Sequence, residues 1–541
     1  MKQIDAITLE VLRNALAAVA EEMNADLIRT AYSPNINERR DCSSAVFDVD
    51  GRMVAQAESI PVHLGAMPAA VAAAIRAAGE LRPGDIVVAN DPFAGGAHLP
   101  DITFVAPVFH GGALVAYVAN RAHHADVGGK EPGSLAGDAV EIYQEGLRIP
   151  PVRLWREGAL AEDVLSIVLA NVRTPRERLG DLRAQAASCH MGIERSLSLF
   201  DRYGTEVMRS GMVEILDYSE RRMRAEIRNF PRGAVQFEDA LDGDGQGGGE
   251  IRLCVALEAV GDCLKVDFTG TAPQAAGPIN AVSAVTASAT YFAVRAATDP
   301  TIPANSGCYR PIEIVAPRGS VVNAQEPAAV VGGNLETAQR IVDVVLGALG
   351  LLLPSRAMGA CQGTMNNLAM GGVDPRDGTP YTLYETIGGG FGGQPGLDGM
   401  DGVQSHMTNT LNTPIEALET SYPLRVERYE FVAGTGGDGE WRGGLGLRRQ
   451  IRPLGHAARV SLLTDRRERA PYGVHGGGGG AVGRNRRVRR EGCLEELPAK
   501  VSLWIADGEA VRIETPGGGG CGEPARRLRE LVEKDEREGR R

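Results

Sequence analysis

The sequence predicts an α+β protein of several domains, with mixed sheets, packed helices and a β-rich C-terminal domain. In the first two thirds of the chain, stretches with helical spacing of apolar residues alternate with short β-branched and aromatic runs. From Tyr429 onward, strand-like stretches alternate with glycine-rich turns instead. The chain has 541 residues, which is enough for about three domains.

Residues 1–230 are predicted to form an N-terminal α+β domain. Helical spacing runs from Ile4 to Tyr32, a short hairpin follows over residues 45–56, and an alanine-rich helix is predicted over Ala66–Ala78. A strand over residues 86–89 precedes a second hairpin, formed by Ile102–Phe109 and Ala113–Val118 around a His-Gly-Gly turn. Predicted helices over residues 164–169, 175–188, 193–203 and 211–229 close the domain.

The second hairpin predicts a metal site. Residues equidistant from its turn face each other, so residues 98–101 lie opposite residues 121–124. Pro100 makes a helix unlikely there, and an approach loop can turn His98 and Asp101 toward His123. Two imidazoles and a carboxylate with open coordination positions are typical of a catalytic site for zinc, manganese or iron. The alternative, a hydrogen-bonded histidine pair without a metal, is less favoured because four ligand-type residues converge here.

Three further residues are candidates for proton transfer or orientation. His124 points to the opposite face if the strand continues, where it could donate or accept a proton. Asp126 could orient an imidazole from behind the ligands. His63 precedes the predicted helix at Ala66, where its pKa would tend to be lowered, although simple capping or packing explains it equally well.

Composition excludes several classes of protein. Charged residues make up 23% of the chain and the net charge is -12, which argues against binding to a nucleic-acid backbone. No apolar run of about 18 residues and no secretory signal appear, so the sequence predicts a cytoplasmic protein that does not enter a membrane. The eight cysteines have no CxxC spacing and are expected to be reduced, including Cys42, for which no activating base is evident.

Residues 231–425 are predicted to form a central α+β domain with glycine-rich pocket loops. The acidic, glycine-rich segment 242–249 reads as an exposed hairpin loop in preference to a calcium site. Residues 332–337 open an apolar helix that extends to Leu353, and their free N–H groups either hold an anion or are simply capped. A loop over residues 398–414 contains His406 and is expected to form a second wall of a polar pocket.

The remaining chain is predicted to comprise a β-rich domain, residues 426–524, and a charged tail with a frayed helix, residues 525–541. Residues 484–490 contain five arginines and are expected to form a solvated loop or a docking point for an acidic partner. Residues 388–393, GGGFGG, match GxGxxG by letter only, because Gln394-Pro395-Gly396 stands where a helix must begin. No GxxxxGK[ST] occurs, so the sequence contains no P-loop.

Several blocks between residues 39 and 522 together resemble the hydantoinase B/oxoprolinase family, which includes relatives of acetone and acetophenone carboxylases. These blocks are RRDCSSAVFDVDGRMVAQ, IPVHLG, NDPFAGGAHLPDITFVAPVF, NRAHHADVGG, YETIGGGFGG, SHMTNTLNTPIEALE, RGGLGLRR and TPGGGGCG. In the related carboxylases the metal is held by a His, an Asp three residues later and a second His some 25 residues further on. His98, Asp101 and His123 meet this pattern.

The resemblance implies a hetero-oligomer in which a separate A-type subunit binds ATP and Mg²⁺, in agreement with the missing P-loop. It also implies activation of a carbonyl oxygen by phosphorylation at that partner, followed by reaction at the metal. The first expectation is an ATP-dependent cyclic amide hydrolase acting on a hydantoin or lactam. The alternatives are a carboxylase subunit with a ketone substrate, and a non-catalytic scaffold for the A-type subunit.

Overall fold

A seven-stranded antiparallel sheet organises the first part of the chain. The computed structural model describes residues 4–57 and 59–541. The strands follow the order β2-β1-β5-β4-β3-β6-β7. Their bounds are β1 Cys42–Asp48, β2 Met53–Gln56, β3 Ile86–Ala89, β4 Asp101–His110, β5 Ala113–His123, β6 Val152–Arg156 and β7 Ala159–Leu160. Both predicted hairpins are present, and β5 extends five residues beyond its predicted end at Val118.

Helices cover both faces of this sheet. They are α1 Ala6–Thr30, α2 Pro34–Asn37, α3 Pro61–Ala78, α4 Glu162–Ala170, α5 Pro175–Tyr203 and α6 Thr205–Arg228. On one face, Cys42 of β1 and Ala122 of β5 pack with Leu27 of α1 and Ala184 of α5. Because strand side chains alternate, Ser43 and its neighbours on the other face meet α3.

Helix α5 is continuous, whereas the sequence predicted two helices over residues 175–188 and 193–203. That prediction was wrong because the intervening segment contains no proline to end the helix. Gly192 in this segment lets α1 approach, since a Cβ atom there would lie 2.3 Å from Sδ of Met23. The segment between the two predicted helices is therefore a place where α5 and α1 cross closely, and α5 continues through it.

A four-stranded sheet in the order β11-β10-β9-β8 forms the next layer. Its elements are β8 Ala234–Leu241, β9 Ile251–Val260, β10 Cys263–Asp267, α7 Ser283–Ala296, α8 Ser306–Tyr309, β11 Ile312–Val315 and α9 Glu336–Leu352. Helix α9 packs on β8 and β9, and α7 lies between α9 and α3. The loop at residues 242–249 joins two antiparallel strands, as a hairpin loop does. Its Asp242 accepts hydrogen bonds from the backbone of Arg467, Glu468 and Arg469.

Two antiparallel sheets, β13-β12-β16-β19 and β14-β15-β20-β17-β18, make up the remainder. Their elements are β12 Asn367–Val373, β13 Pro380–Glu385, α10 Ile415–Ser421, β14 Leu424–Val432, β15 Gly446–Pro453, β16 Ala458–Leu463, β17 Arg484–Val488, β18 Leu494–Leu497, β19 Lys500–Ile505, β20 Ala510–Glu514 and α11 Arg529–Arg537. Strand β12 pairs with β16, so the boundary predicted at residue 425 passes through a sheet. One hydrophobic core extends from Leu12 to Leu463, and a second lies between these two sheets.

The arginine-rich segment predicted as a solvated loop is a strand, β17. Arg486 pairs with Glu496 of β18 at 2.7 Å, and Arg487 pairs with Glu509 beside β20. The prediction was wrong because alternation of charge between neighbouring strands satisfies the arginines inside the sheet.

The glycine-rich segments lie against one another and form a tightly packed layer. Gly390 N donates to Pro516 O, and Gly518 N donates to Gly444 O. A Cβ atom at Gly392 would lie 1.7 Å from the carbonyl oxygen of Gly359. Glycine is required here because only a residue without a side chain allows backbones to approach this closely.

Helix α3 begins at Pro61, five residues before the predicted start, because proline is well suited to the first helical position. His63 therefore lies in the first turn. Ser288 Oγ of α7 donates to the carbonyl oxygens of Pro61 and Val62. By length and composition α3 could cross a membrane, but about half of it is buried between the sheet and α7, as in a core helix.

Substitution Gly65→Ala is expected to destabilise the protein by about 1–3 kcal/mol through overpacking. A Cβ atom at Gly65 would lie 2.5 Å from Cα of Ser288, so α3 must move away from α7 and carry His63 with it. Chemical denaturation of wild type and variant measures the change. The exposed substitution Ala77→Ser on the same helix is the control, and an unchanged midpoint for Gly65→Ala would contradict the crossing.

Candidate metal centre

His98, Asp101 and His123 lie together at the open end of the β4–β5 hairpin. The register pairs Asp101 with His123, within the predicted block of residues 121–124 but two residues beyond the Arg121 that equidistance from Gly111 gives, and the ladder contains a register shift between Val108 and Phe109. His98 Nε2 lies 3.2 Å from Asp101 Oδ1, and the rings of His98 and His123 are 5.0 Å apart. One ligand atom from each residue lies within 4.8 Å of the other two. All three side chains are buried.

The three atoms that would bind a metal ion in this cluster have no hydrogen-bond partner in the part of the chain that the structure describes. They are His98 Nε2, Asp101 Oδ1 and His123 Nε2. The His98–Asp101 distance is short enough for a hydrogen bond, but its angles are not those of one. Buried polar atoms are rarely left unpaired. Two imidazole nitrogens and one carboxylate oxygen fit a divalent cation with open coordination positions.

The other side of each imidazole is held by the protein. His98 Nδ1 lies 3.4 Å from the carbonyl oxygen of Val331. The amide of Asn35 lies 3.2 Å from His123 Nδ1 and donates to the His123 carbonyl oxygen. Tyr384 stacks on the His123 ring at 4.6 Å. These contacts fix both rings with Nε2 toward Asp101, which is how outer contacts orient metal-binding histidines.

His63 joins the cluster from the first turn of α3. Its Nε2 atom lies 3.2 Å from Asp101 Oδ1 and 3.8 Å from Asp41 Oδ1. Its Nδ1 atom lies 3.3 Å from Ser43 Oγ on β1. Sequence analysis did not place Asp41 in the site. Its position follows from the pairing of β1 with β5, which brings the carbonyl oxygen of Asp41 to His123 N.

Electrostatics keep Asp101 ionised and His123 neutral, which are the forms that bind cations. Burial alone would raise the pKa of Asp101, but the charges of His98 and His63 outweigh it and hold that pKa well below its usual range. Burial, assisted by the charge of His98, holds the pKa of His123 well below its usual value. Near neutral pH the site therefore contains a carboxylate and a neutral imidazole. Burial raises the pKa of Asp41, which lies behind them.

Comparison with known proteins identifies the family. A model of the hydantoinase B/oxoprolinase family matches residues 5–524. The chain belongs to this family. It is 41% identical to a protein of Methanocaldococcus jannaschii, covering 98% of this chain and 93% of that protein. It is 34% identical to the caprolactamase subunit beta of Pseudomonas jessenii, covering 100% of this chain and 94% of the subunit.

A 5-oxoprolinase of Dictyostelium discoideum is a longer relative in the family. Identity is 37% over 96% of this chain, which spans only 40% of that protein. Two solved structures share the fold. The ATP-dependent caprolactamase of Pseudomonas jessenii superimposes with a TM-score of 0.93 at 33% identity, over 100% of this chain and 95% of that one. A nucleotide-free acetone carboxylase gives a TM-score of 0.89 at 19% identity, over 98% of this chain and 78% of that one.

His124 and Asp126 lie apart from the cluster in this member of the family. His124 faces the opposite side of the sheet, where Nε2 lies 2.9 Å from Gln185 Oε1 of α5. Burial and the charge of Arg178 lower its pKa to about 4. Asp126 accepts hydrogen bonds from Arg173 and from the backbone of Gly128 and Gly133. Among the described contacts neither residue touches a ligand imidazole.

Arg39 connects the cluster to more distant parts of the chain and was missed by sequence reasoning. Its guanidinium donates to the carbonyl oxygen of Tyr384 at 2.9 Å and lies over the Tyr384 ring. It also donates to Thr386 and Thr410. An arginine in a charged RRD run reads as a solvated residue, and only the folded chain shows that it is fully buried.

The loop expected to form a second wall lies against the surroundings of the cluster. Met407 O accepts a hydrogen bond from Val62 N at the start of α3. His406 itself points elsewhere, with Nε2 3.3 Å from Asp343 Oδ1 of α9. Burial opposes its protonation, yet contacts with Cys361 and Asp343 raise its pKa to about 10.

Residues 332–337, predicted to hold an anion or to be capped, supply the Asn334 amide 3.4 Å from Asp101 Oδ2. Glu145 holds the preceding residues, since its Oε1 atom accepts from Val330 N and Val331 N, each at 2.9 Å. Because the carbonyl oxygen of Val331 faces His98, Glu145 supports that ligand indirectly. Burial raises the pKa of Glu145 to about 8.

The raised pKa of Glu145 predicts a loss of stability with increasing pH. From the ordinary value of 4.5 up to about 8, the unfolded chain ionises this group while the folded chain does not. The unfolded state therefore binds fewer protons, and the free energy of unfolding falls as pH rises through this window. In Glu145→Gln the fall should be smaller, because the amide oxygen still accepts the same hydrogen bonds without ionising. Unfolding midpoints near pH 5 and pH 8 test this, and equal falls in both proteins would contradict it.

Proposed function

We propose that this chain is the metal-bearing catalytic subunit of an ATP-dependent cyclic amide hydrolase of the hydantoinase/oxoprolinase type. The observation that carries the proposal is the convergence of three buried, unpaired donor atoms from His98, Asp101 and His123. The similarity to a caprolactamase subunit beta over its whole length supports the same reaction class, opening of a cyclic amide at its C–N bond.

The ligands would be the two imidazoles and the carboxylate, with zinc, manganese or iron as the metal. When bound, the metal would supply polarisation of the amide carbonyl or a lowered pKa of the attacking water. His63 would hold or move a proton at Nε2, which is placed between the carboxylates of Asp101 and Asp41. His98 and His123 would stay oriented by their Nδ1 contacts. His124 and Asp126 remain predicted participants, with their contacts favouring support of the surrounding loops and helix.

The proposal includes an A-type subunit as partner, which would bind ATP and Mg²⁺ and activate the substrate. The sequence contains no P-loop motif. The relative in Pseudomonas jessenii is named as a subunit. In the Dictyostelium 5-oxoprolinase the match covers 40% of the protein, so the larger part of that protein lies outside the matched region. We therefore infer a hetero-oligomer in which activation and ring opening occur on different chains.

An alternative is a subunit of an ATP-dependent ketone carboxylase. The acetone carboxylase structure supports the same fold, and its low identity leaves the reaction open. Similarity of 34–38% to caprolactamase and oxoprolinase chains favours the hydrolase. A scaffold without chemistry of its own would have no use for buried donor atoms that face each other without partners.

Elemental mass spectrometry of the purified chain tests the metal site. Wild type is expected to contain one metal ion per chain after reconstitution with zinc, manganese or iron, and His98→Ala and His123→Ala are expected to lose it. His110→Ala is the matched control. His110 lies at the far turn of the same hairpin, half-buried and paired with Asp201, and its loss should leave the metal content unchanged. A metal-free wild type after reconstitution would overturn the proposal.

Activity with the A-type subunit tests the reaction class. ATP-dependent ring opening of a lactam or hydantoin without added bicarbonate is expected from wild type and His110→Ala. Its rate should fall by at least about a hundredfold in His98→Ala and His123→Ala, because the group that stabilises the developing charge is lost. Bicarbonate-dependent turnover of a ketone would favour the carboxylase, and unchanged turnover in both ligand variants would favour the scaffold.

A further inference from the structure

Among the residues that the structure describes, six arginine side chains are fully buried, and one of them has neither an ion pair nor more than one hydrogen bond. They are Arg39, Arg121, Arg178, Arg340, Arg449 and Arg466. Four form ion pairs with buried carboxylates, namely Arg178, Arg340, Arg449 and Arg466. Arg39 donates to several carbonyl and hydroxyl oxygens. Arg121 makes one hydrogen bond, from Nε to Thr103 Oγ1 at 2.9 Å.

The two terminal nitrogens of Arg121 have no partner among the residues that the structure describes. Nη1 and Nη2 are both buried and form no hydrogen bond, and the described carboxylate whose charge acts on this guanidinium is that of Asp101. A guanidinium stays protonated at physiological pH and offers five N–H donors. Four of these donors are therefore removed from water without a hydrogen-bond acceptor, which is costly for a buried charged group.

Arg121 lies on the same face of the sheet as the metal cluster. It precedes His123 by two residues on β5, so both side chains leave the strand on one side. Its cross-strand neighbours are Thr103 on β4 and Ser43 on β1. Thr103 follows Asp101 by two residues, and the charge of Asp101 acts on Arg121. Ser43 contacts His63, so Arg121 is the cross-strand neighbour of a residue that touches the cluster.

The sum of the charges around the cluster favours binding of an anion once a metal ion is present. Two carboxylates, Asp41 and Asp101, and two guanidinium groups, Arg39 and Arg121, are all buried in this region, and the charge of Arg39 acts on Asp41 as that of Asp101 acts on Arg121. The charges on these four side chains cancel when all are ionised. A divalent cation on His98, Asp101 and His123 would then leave two positive charges without compensation, in a site from which water is excluded.

We infer that Arg121 binds an oxyanion carried by the substrate, either a carboxylate or the phosphoryl group added during activation. This inference rests on the proposed function and names the substrate class for the same site. The paired N–H groups of a guanidinium match two oxygens of such a group and are strongest where water is excluded. Arg121 would be a binding and positioning residue that holds the ring beside the three ligands.

Anion binding to the isolated chain is the first test, with inorganic phosphate and acetate as probes. In wild type, one or both probes should raise the melting temperature, because a ligand that binds only the folded state stabilises it. Arg121→Met should abolish this shift, and Arg121→Lys should retain part of it. Arg148→Met, which removes the same charge from a half-buried pair with Asp91, should keep the full shift.

The stability of the variants without anion separates binding from a structural role. Arg121→Met should be as stable as wild type or more so, because an unpaired buried charge is replaced by an apolar side chain of similar length. Arg340→Met should be clearly less stable, since it removes one cationic partner from each of the buried carboxylates Asp239 and Asp465. Destabilisation of Arg121→Met together with an anion shift equal to that of wild type would overturn the inference.

Kinetics with the A-type subunit identify the source of the oxyanion. If it is a substrate carboxylate, Arg121→Met should raise KM at least tenfold for a lactam that bears a carboxylate and leave a neutral lactam unaffected. If it is the phosphoryl group, both lactams should lose kcat/KM equally. No effect on either substrate would overturn the inference. Metal content measured on the same samples separates this result from failure of the metal site, because Arg121→Met should retain the metal lost by His98→Ala.

Discussion

The fully buried carboxylate of Asp101 is the contact on which the site depends. It meets His98 from its own approach loop, His123 from the neighbouring strand and His63 from α3. A carboxylate without solvent must have compensating positive charge or hydrogen-bond donors. Each element that reaches Asp101 is fixed in turn by a contact further out, such as the hydrogen bonds of Ser288 to the first turn of α3. The geometry of the cluster is therefore a property of several distant segments together.

Sequence reasoning found the parts of this arrangement that depend on local pairing. The hairpin turn places residues 98–101 opposite residues 121–124 without knowledge of the rest of the fold, whereas the exact pairing of Asp101 with His123 depends on a register shift between Val108 and Phe109. Asp41 and Arg121 escaped it for different reasons. Asp41 reaches the cluster only through the pairing of β1 with β5, which joins segments about 80 residues apart. Arg121 stood in a run of ligand-type residues and drew no attention, because its lack of a partner exists only in three dimensions.

Errors in the predicted elements have physical causes of the same kind. The sequence predicted two helices in place of α5, on either side of a segment that contains Gly192. In the folded chain this glycine lets Met23 of α1 pack closely against α5. The arginines of β17 were assigned to a loop because their acidic partners, such as Glu496 and Glu509, come later in the chain. Residues 367–385 and 458–505 form one sheet on either side of residue 425, and the domain boundaries stay predictions. Small and charged residues that predict a break or a loop from local sequence can therefore lie inside helices and strands once long-range partners are in place.

The likeness to both a caprolactamase and an acetone carboxylase shows that one scaffold serves proteins named for different reactions. A common backbone alone therefore does not select the substrate. What distinguishes substrates must then lie in the side chains around the ligands, and the buried charges are the strongest candidates because their interactions act at short range without screening by water. An unpaired guanidinium lowers the stability of the folded chain, and a protein retains such a cost where the group is used. Arg121 is such a group. Its Nη atoms have no hydrogen-bond partner among the described residues, and it lies on the same face of the sheet as His123.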